Sequence, residues 1–129
     1  MHPFRAAIEA RDLDAAIALL SEDVVFRSPI VFKPYHGRDV VAPILHAVSR
    51  VFEDFRYVRE IGAPDAPDRA FVFRARVGEL EIEGGDFLHL DEDGSIDELT
   101  VMVRPLTAGH ALAEAMQAQI AAAKGSVGT

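Results

Sequence analysis

An α+β domain, with helices laid on one face of an antiparallel sheet, is the fold class this sequence predicts. Three observations carry that reading. Residues 39–52 hold one broad apolar stripe at helical spacing. From residue 55 to residue 104 the hydrophobic period drops to two, in successive segments separated by turn residues. In one of those segments, LEIEGGDFLHL over residues 80–90, Asp86 stands in the same row as Leu80, Ile82, Leu88 and Leu90. A carboxylate on a core-facing row must be hydrogen-bonded, paired or held neutral.

Taken in order, Pro3 suits the first turn of a helix in which Phe4 and Ile8 share a face. Asp12 can cap a second short helix carrying Leu13, Ile17 and Leu20, which Ser21-Glu22-Asp23 ends. VVFRSPIVF then reads as a short strand with Val24, Phe26 and Ser28 on one face, stopped by Pro29 and followed by a loop from Lys33 to Gly37. Asp39 is placed to cap the long helix of Val40, Val41, Ile44, Leu45, Val48, Val51 and Phe52; Pro43 is tolerated near its start. His46 falls opposite the stripe and faces away from the core.

Phe55 to Ile61 reads as a second strand, closed by the turn GAPDAPD. Ala70 to Val77 is a third, with Phe71, Phe73, Ala75 and Val77 on one row and Val72, Arg74 and Arg76 on the other. A two-residue turn at Gly78-Glu79 sets Arg76 against Glu81, Ala75 against Ile82 and Arg74 against Glu83. Gly84-Gly85 is a natural bulge site, and an extra residue there would turn Asp86 to the other face. Asp91 to Gly94 makes a hairpin turn into a last strand, Ser95 to Arg104. A calcium loop starting at Asp91 would need glycine where Ile96 stands and glutamate where Met102 stands. An alanine-rich helix, about 107–124, closes the chain with Gly125 as its stop.

Composition narrows function by exclusion. At 129 residues the chain is expected to be a single domain, 1–129, with one core. A formal net charge of −8 argues against nucleic acid or an anionic membrane as partner. The lack of cysteine removes disulfides, thiolate catalysis and zinc–sulfur sites. There is no signal-like h-region and no run of about eighteen apolar residues, so a cytoplasmic protein is the expectation. Arginine far outnumbers lysine and alanine is abundant, a composition associated with bacterial genomes of high GC content. His2, His89 and His110 show no ligand spacing with one another, so no metal is expected; phosphate loops and a GxSxG elbow are absent.

The succession ARDLDAAIALLSEDVVFRSP, YHGRDVVAPIL and FLHLDEDGSIDELTV resembles the NTF2-like superfamily, in particular its SnoaL-like and ketosteroid-isomerase-like members, over roughly residues 3 to 105. The resemblance implies an NTF2-like (cystatin-like) cone: a strongly curved antiparallel sheet wrapped around a long helix, enclosing an apolar pocket. It further implies a homodimer packed through the outer sheet face and a hydrophobic small molecule as ligand, with no cofactor. The pocket wall would comprise Phe4, Ser28, Ile44, Phe71, Phe73, Ala75, Leu88, Leu99 and Val101.

Steroid-isomerase chemistry carries over only in part. It uses a carboxylate base together with a tyrosine and a protonated aspartic acid that donate hydrogen bonds to the dienolate oxygen. The protonated acid falls on Asp86, but the base position falls on Ser28 and the tyrosine position on Phe4, which cannot play those roles. Steroid isomerisation itself is therefore not expected. The Arg-x-Asp of related epoxide hydrolases is met here by Arg74-Ala-Arg76.

The resemblance to SnoaL-like members then implies an isomerase, cyclase or lyase, with Asp86 expected to do acid–base work on an apolar carbonyl compound. The alternative is a non-catalytic binding or protein-interaction module, favoured by the lack of a second titratable group on the expected wall. For Asp86 the structural alternative is an aspartate bracing a Gly-Gly bulge through local backbone bonds.

Overall fold

The structure is a computed structural model that describes the backbone of residues 1–127 and the side chains of residues 1–122. Helix α1 (Pro3–Glu9) opens on proline, and the His2 imidazole caps it by accepting the Phe4 amide at 3.0 Å. Helix α2 (Leu13–Ala18) is capped as its residue type predicts, Asp12 accepting from the Ala15 amide at 3.1 Å.

Strand β1 (Leu20–Arg27) begins earlier than expected: Ser21-Glu22-Asp23 lies inside the strand and does not close the helix. Leu20, 1% exposed, pairs with Ile96, so burial and ladder bonds outweigh the polar triplet. The stretch read as a plain loop holds a short strand β2 (Tyr35–His36) against Val25 and Phe26. Helix α3 (Arg38–Val51) is entered through Gly37, whose φ of 98° suits glycine, and Asp39 lies in the first turn instead of at the cap.

The meander follows as β3 (Glu53–Ile61), β4 (Asp68–Val77), β5 (Leu80–Leu90) and β6 (Ile96–Arg104). The six strands form one curved sheet in the order β2-β1-β6-β5-β4-β3, antiparallel except for the parallel β1–β6 pair. The β4–β5 register is the one the Gly78-Glu79 turn dictates: Arg76 opposite Glu81, Ala75 opposite Ile82, Arg74 opposite Glu83. Arg74 bonds Glu83 at 3.1 Å, whereas Arg76 turns to Asp54 and Glu53.

No bulge interrupts Gly84-Gly85; pairing runs unbroken to place Asp86 between Phe71 and Val101. The two glycines serve packing. A Cβ on Gly84 would stand 2.3 Å from the Phe73 ring on the inner face, and one on Gly85 would stand 3.0 Å from the Phe87 ring on the outer.

Helix α4 (Leu106–Val127) continues past Gly125, where a stop was expected. Two apolar clusters result. The larger joins α1, α2, α3 and the sheet around Phe71, Phe73, Leu88 and Leu99; the smaller sets Ala108 and Leu112 of α4 on Ala75, Val77 and Ile82. Among the described residues, no helix is long and apolar enough to cross a membrane.

Candidate active site

Between the helices and the concave face of the sheet lies a cavity of about 350 Å³. Phe4 and Ile8 of α1, Ile44, Leu45 and Val48 of α3, and Leu112 and Met116 of α4 form its helical wall. The sheet contributes Phe26, Phe55, Phe73, Leu99 and Val101. Its lining is mainly hydrocarbon, as small-molecule sites usually are.

Glu9, Arg11, Ser28 and Ser49 border the cavity from exposed or half-buried positions, whereas two polar side chains of its lining are buried, Asp86 of β5 and Tyr57 of β3. The Tyr57 hydroxyl donates to Asp86 Oδ2 at 2.6 Å. Both residues are buried, at 8% and 6% exposure. Burial pushes the Asp86 carboxyl up from 3.8 to about 6, and the hydrogen bond from Tyr57 opposes part of that rise. Burial also drives the Tyr57 phenol well above its ordinary value, reinforced by the charge and hydrogen bond of Asp86. At neutral pH the phenol is therefore a fixed donor and the carboxyl is mostly ionised.

The pair is held from behind by aromatic rings and an ionic cluster. The Tyr57 ring meets Phe55 edge-on at 5.0 Å and Phe71 at 5.7 Å between centroids. The Arg5 guanidinium stands 5.9 Å over the Tyr57 ring and also pairs with Glu9 and Glu60. Two χ angles and three neighbours leave the phenol little freedom, which is what a positioned donor requires.

Of the residues expected on the wall, Phe4, Ser28, Ile44, Phe73, Leu99 and Val101 line the cavity beside Asp86. Phe71, Ala75 and Leu88 do not. Phe71 is packed between His2 and Tyr57, Ala75 lies under α4, and Leu88 sits in solid core. Alternation assigns these residues to the inner face but says nothing about which part of that face is hollow. Ser28 reaches the rim, yet its Oγ accepts the amides of Ile30 and Val31 and so shapes the loop.

The expectation that the wall lacks a second titratable group is corrected by Tyr57. Asp86 braces no bulge; its partner is that phenol. The signal for Tyr57 was present in the alternation of Phe55 and Tyr57. It was obscured because β3 shifts register between Tyr57 and Arg59, so strict period two fails there. The structure also gathers His89, Asp97 and Glu98, whose ligating atoms lie within 4.8 Å of one another on the outer face. His–His spacing could not reveal them, because they meet across strands. His89 Nδ1 contacts Asp97 at 2.7 Å and Arg27 pairs with Glu98 at 2.8 Å, which accounts for the grouping by salt links.

Residues 2–99 match the family model described as a SnoaL-like domain. Among solved structures, the chain is similar to a steroid Δ-isomerase from Pseudomonas aeruginosa, at 44% identity and a TM-score of 0.86, covering 91% of this chain and 85% of that one. It is also similar to an uncharacterised bacterial protein with a cystatin-like fold from Silicibacter pomeroyi, at 40% identity and a TM-score of 0.85, covering 93% and 86%. A SnoaL-like protein of unknown function from Burkholderia thailandensis shares the fold at 16% identity and a TM-score of 0.64, covering 80% and 90%. No curated protein matches. The fold expected from the sequence, an NTF2-like, cystatin-like α+β cone, is thus the one found.

Proposed function

The chain belongs to the SnoaL-like domain family, and from that premise we propose that it binds an apolar carbonyl compound and moves a proton on it with Asp86. One observation carries the reading: a buried carboxyl, hydrogen-bonded at 2.6 Å to a buried phenol, stands in the wall of a mainly apolar cavity. With Tyr57 holding Oδ2, Oδ1 is the atom left to take a proton from the carbon next to a carbonyl. A pKa of about 6 keeps that base charged at neutral pH while leaving its conjugate acid able to return the proton.

The pair differs from the steroid-isomerase arrangement. In the matching positions Phe4 has no proton to donate and the Ser28 hydroxyl is tied into its loop. The similar protein from Pseudomonas aeruginosa is named for steroid isomerisation; here the reading is the coarser one, reversible proton transfer in isomerase, cyclase or lyase chemistry. Two copies would pair through the outer sheet face, where Phe87 and Met102 stand 44% and 59% exposed.

The test is deuterium exchange. Hydrophobic ketones incubated with the protein in heavy water should exchange their α-hydrogens, followed by NMR, at a rate that rises with pH through about 6. Ketone binding with no exchange in the wild type would leave a binding module and remove the catalytic role.

A further inference from the structure

A second hollow lies directly beyond the first. It is a groove of about 860 Å³ between α3, α4 and the loop that follows β1. Ser28, Ile30, Ile44 and Met116 line both spaces, so the two meet along a shared wall. Beyond that wall the floor is Ala47 of α3 and Ala113 of α4, with Val31 and Ile120 above it, 43% and 48% exposed. Polar side chains also border the groove, Asp39, His46 and Gln117 together with Arg50 and Gln119, the last two joined by a hydrogen bond of 3.0 Å.

Resting on the reading of Asp86 and Tyr57 as the carbonyl end of the site, we propose that the substrate is elongated. Its polar head sits at Asp86 and an unbranched hydrocarbon tail runs between Ile44 and Met116 into the α3–α4 groove.

Three features favour this occupant. The buried polar side chains of the inner cavity, Asp86 and Tyr57, stand together at 2.6 Å, so the enclosed part of a ligand meets one polar point. The passage out is bounded by apolar side chains on both sides, which suits methylene groups and would leave a polar tail unsatisfied. The groove floor is alanine on both helices, which leaves room for a chain without requiring either helix to move.

The experiment measures affinity of the full chain for straight methyl ketones with tails of roughly four to twelve carbons, by calorimetry. Affinity should rise about fourfold per methylene, and keep rising after the inner cavity is full. Ala113→Phe, at a residue that lines the groove and not the inner cavity, should flatten the rise for long tails and leave short ketones unchanged. Val31→Asp, on the exposed loop, should weaken long tails by the same pattern without a packing change in α4. A wild-type affinity that stops rising at short tails, or long tails bound equally by both variants, would overturn the elongated substrate. Equal affinity for a ketone and the alkane of the same length would instead overturn the carbonyl assignment at Asp86. Failure of every ketone to bind would overturn both.

Discussion

The β4–β5 hairpin has two halves built from the same alternation, and they do opposite things. Near its turn, Ala75, Val77 and Ile82 lie under Ala108 and Leu112 of α4, and the space is solid. Toward the middle, Phe73 and Asp86 face a cavity. The inner row of β5 reads Ile82, Gly84, Asp86, Leu88, and only the third of these meets open space. The difference is one of helix cover: the start of α4, with Ala108 and Leu112, packs onto one end of the concave face, while α1, α3 and the Leu112–Met116 turn of α4 arch over the next. A carboxyl can persist in an apolar row because that row borders a hollow and a phenol reaches it from the neighbouring strand.

The sharpest way to break the comparison is Asp86→Asn. Loss of the base should lower α-hydrogen exchange roughly a hundred- to ten-thousand-fold, with ketone affinity held within a few fold. Unchanged exchange would make the hollow half as inert as the solid one. The counterpart in the solid half is Ile82→Ala, which should cost about 2–5 kcal/mol by denaturant titration and leave exchange per folded molecule unaltered. A drop in exchange there would mean that the two halves are not independent.

The pH dependence of stability sharpens the contrast further. Asp86 has a folded pKa of about 6 against an ordinary 3.8. Below the lower value both folded and unfolded chains hold the proton. Between the two, the folded chain keeps a proton that the unfolded chain releases, so stability falls as pH rises and levels off above about 6. The loss is on the order of 3 kcal/mol. Subtracting the Asp86→Asn curve from the wild-type curve should isolate this step; a flat difference would mean that the carboxyl is solvated. Gly84→Ala carries the smallest effect, about 1–3 kcal/mol of destabilisation, because its methyl group would collide with the Phe73 ring. A neutral result would show that the ring is free to move into the cavity.

Much of the frame was legible because each strand of the meander has one buried face, and a two-residue turn at Gly78-Glu79 then leaves a single register. That is why Arg74 meets Glu83; the same alternation puts Asp86 on the inner row only if Gly84-Gly85 carries no bulge, which the unbroken β4–β5 pairing decides. The site was legible only on one side. Asp86 betrayed itself by its chemistry, as the only acid in that row. Tyr57 did not, since tyrosine is ordinary in a strand and the register shift after it breaks the pattern that would have aimed it inward. Phe71, Ala75 and Leu88 show the matching gap: period two distinguishes in from out, whereas hollow from filled depends on helices far along the chain. Leu20 and Tyr35 became strand residues for the same long-range reason, through partners at Ile96 and Phe26.

The paired glycines have a mechanical consequence. With no side-chain layer at Gly84 or Gly85, the barrier between Phe73 within and Phe87 without is a single thickness of peptide. A load applied to the convex surface at that spot therefore has a short path to the ring that borders the chamber. A body seated on Phe87 would press one residue away from Asp86 along β5.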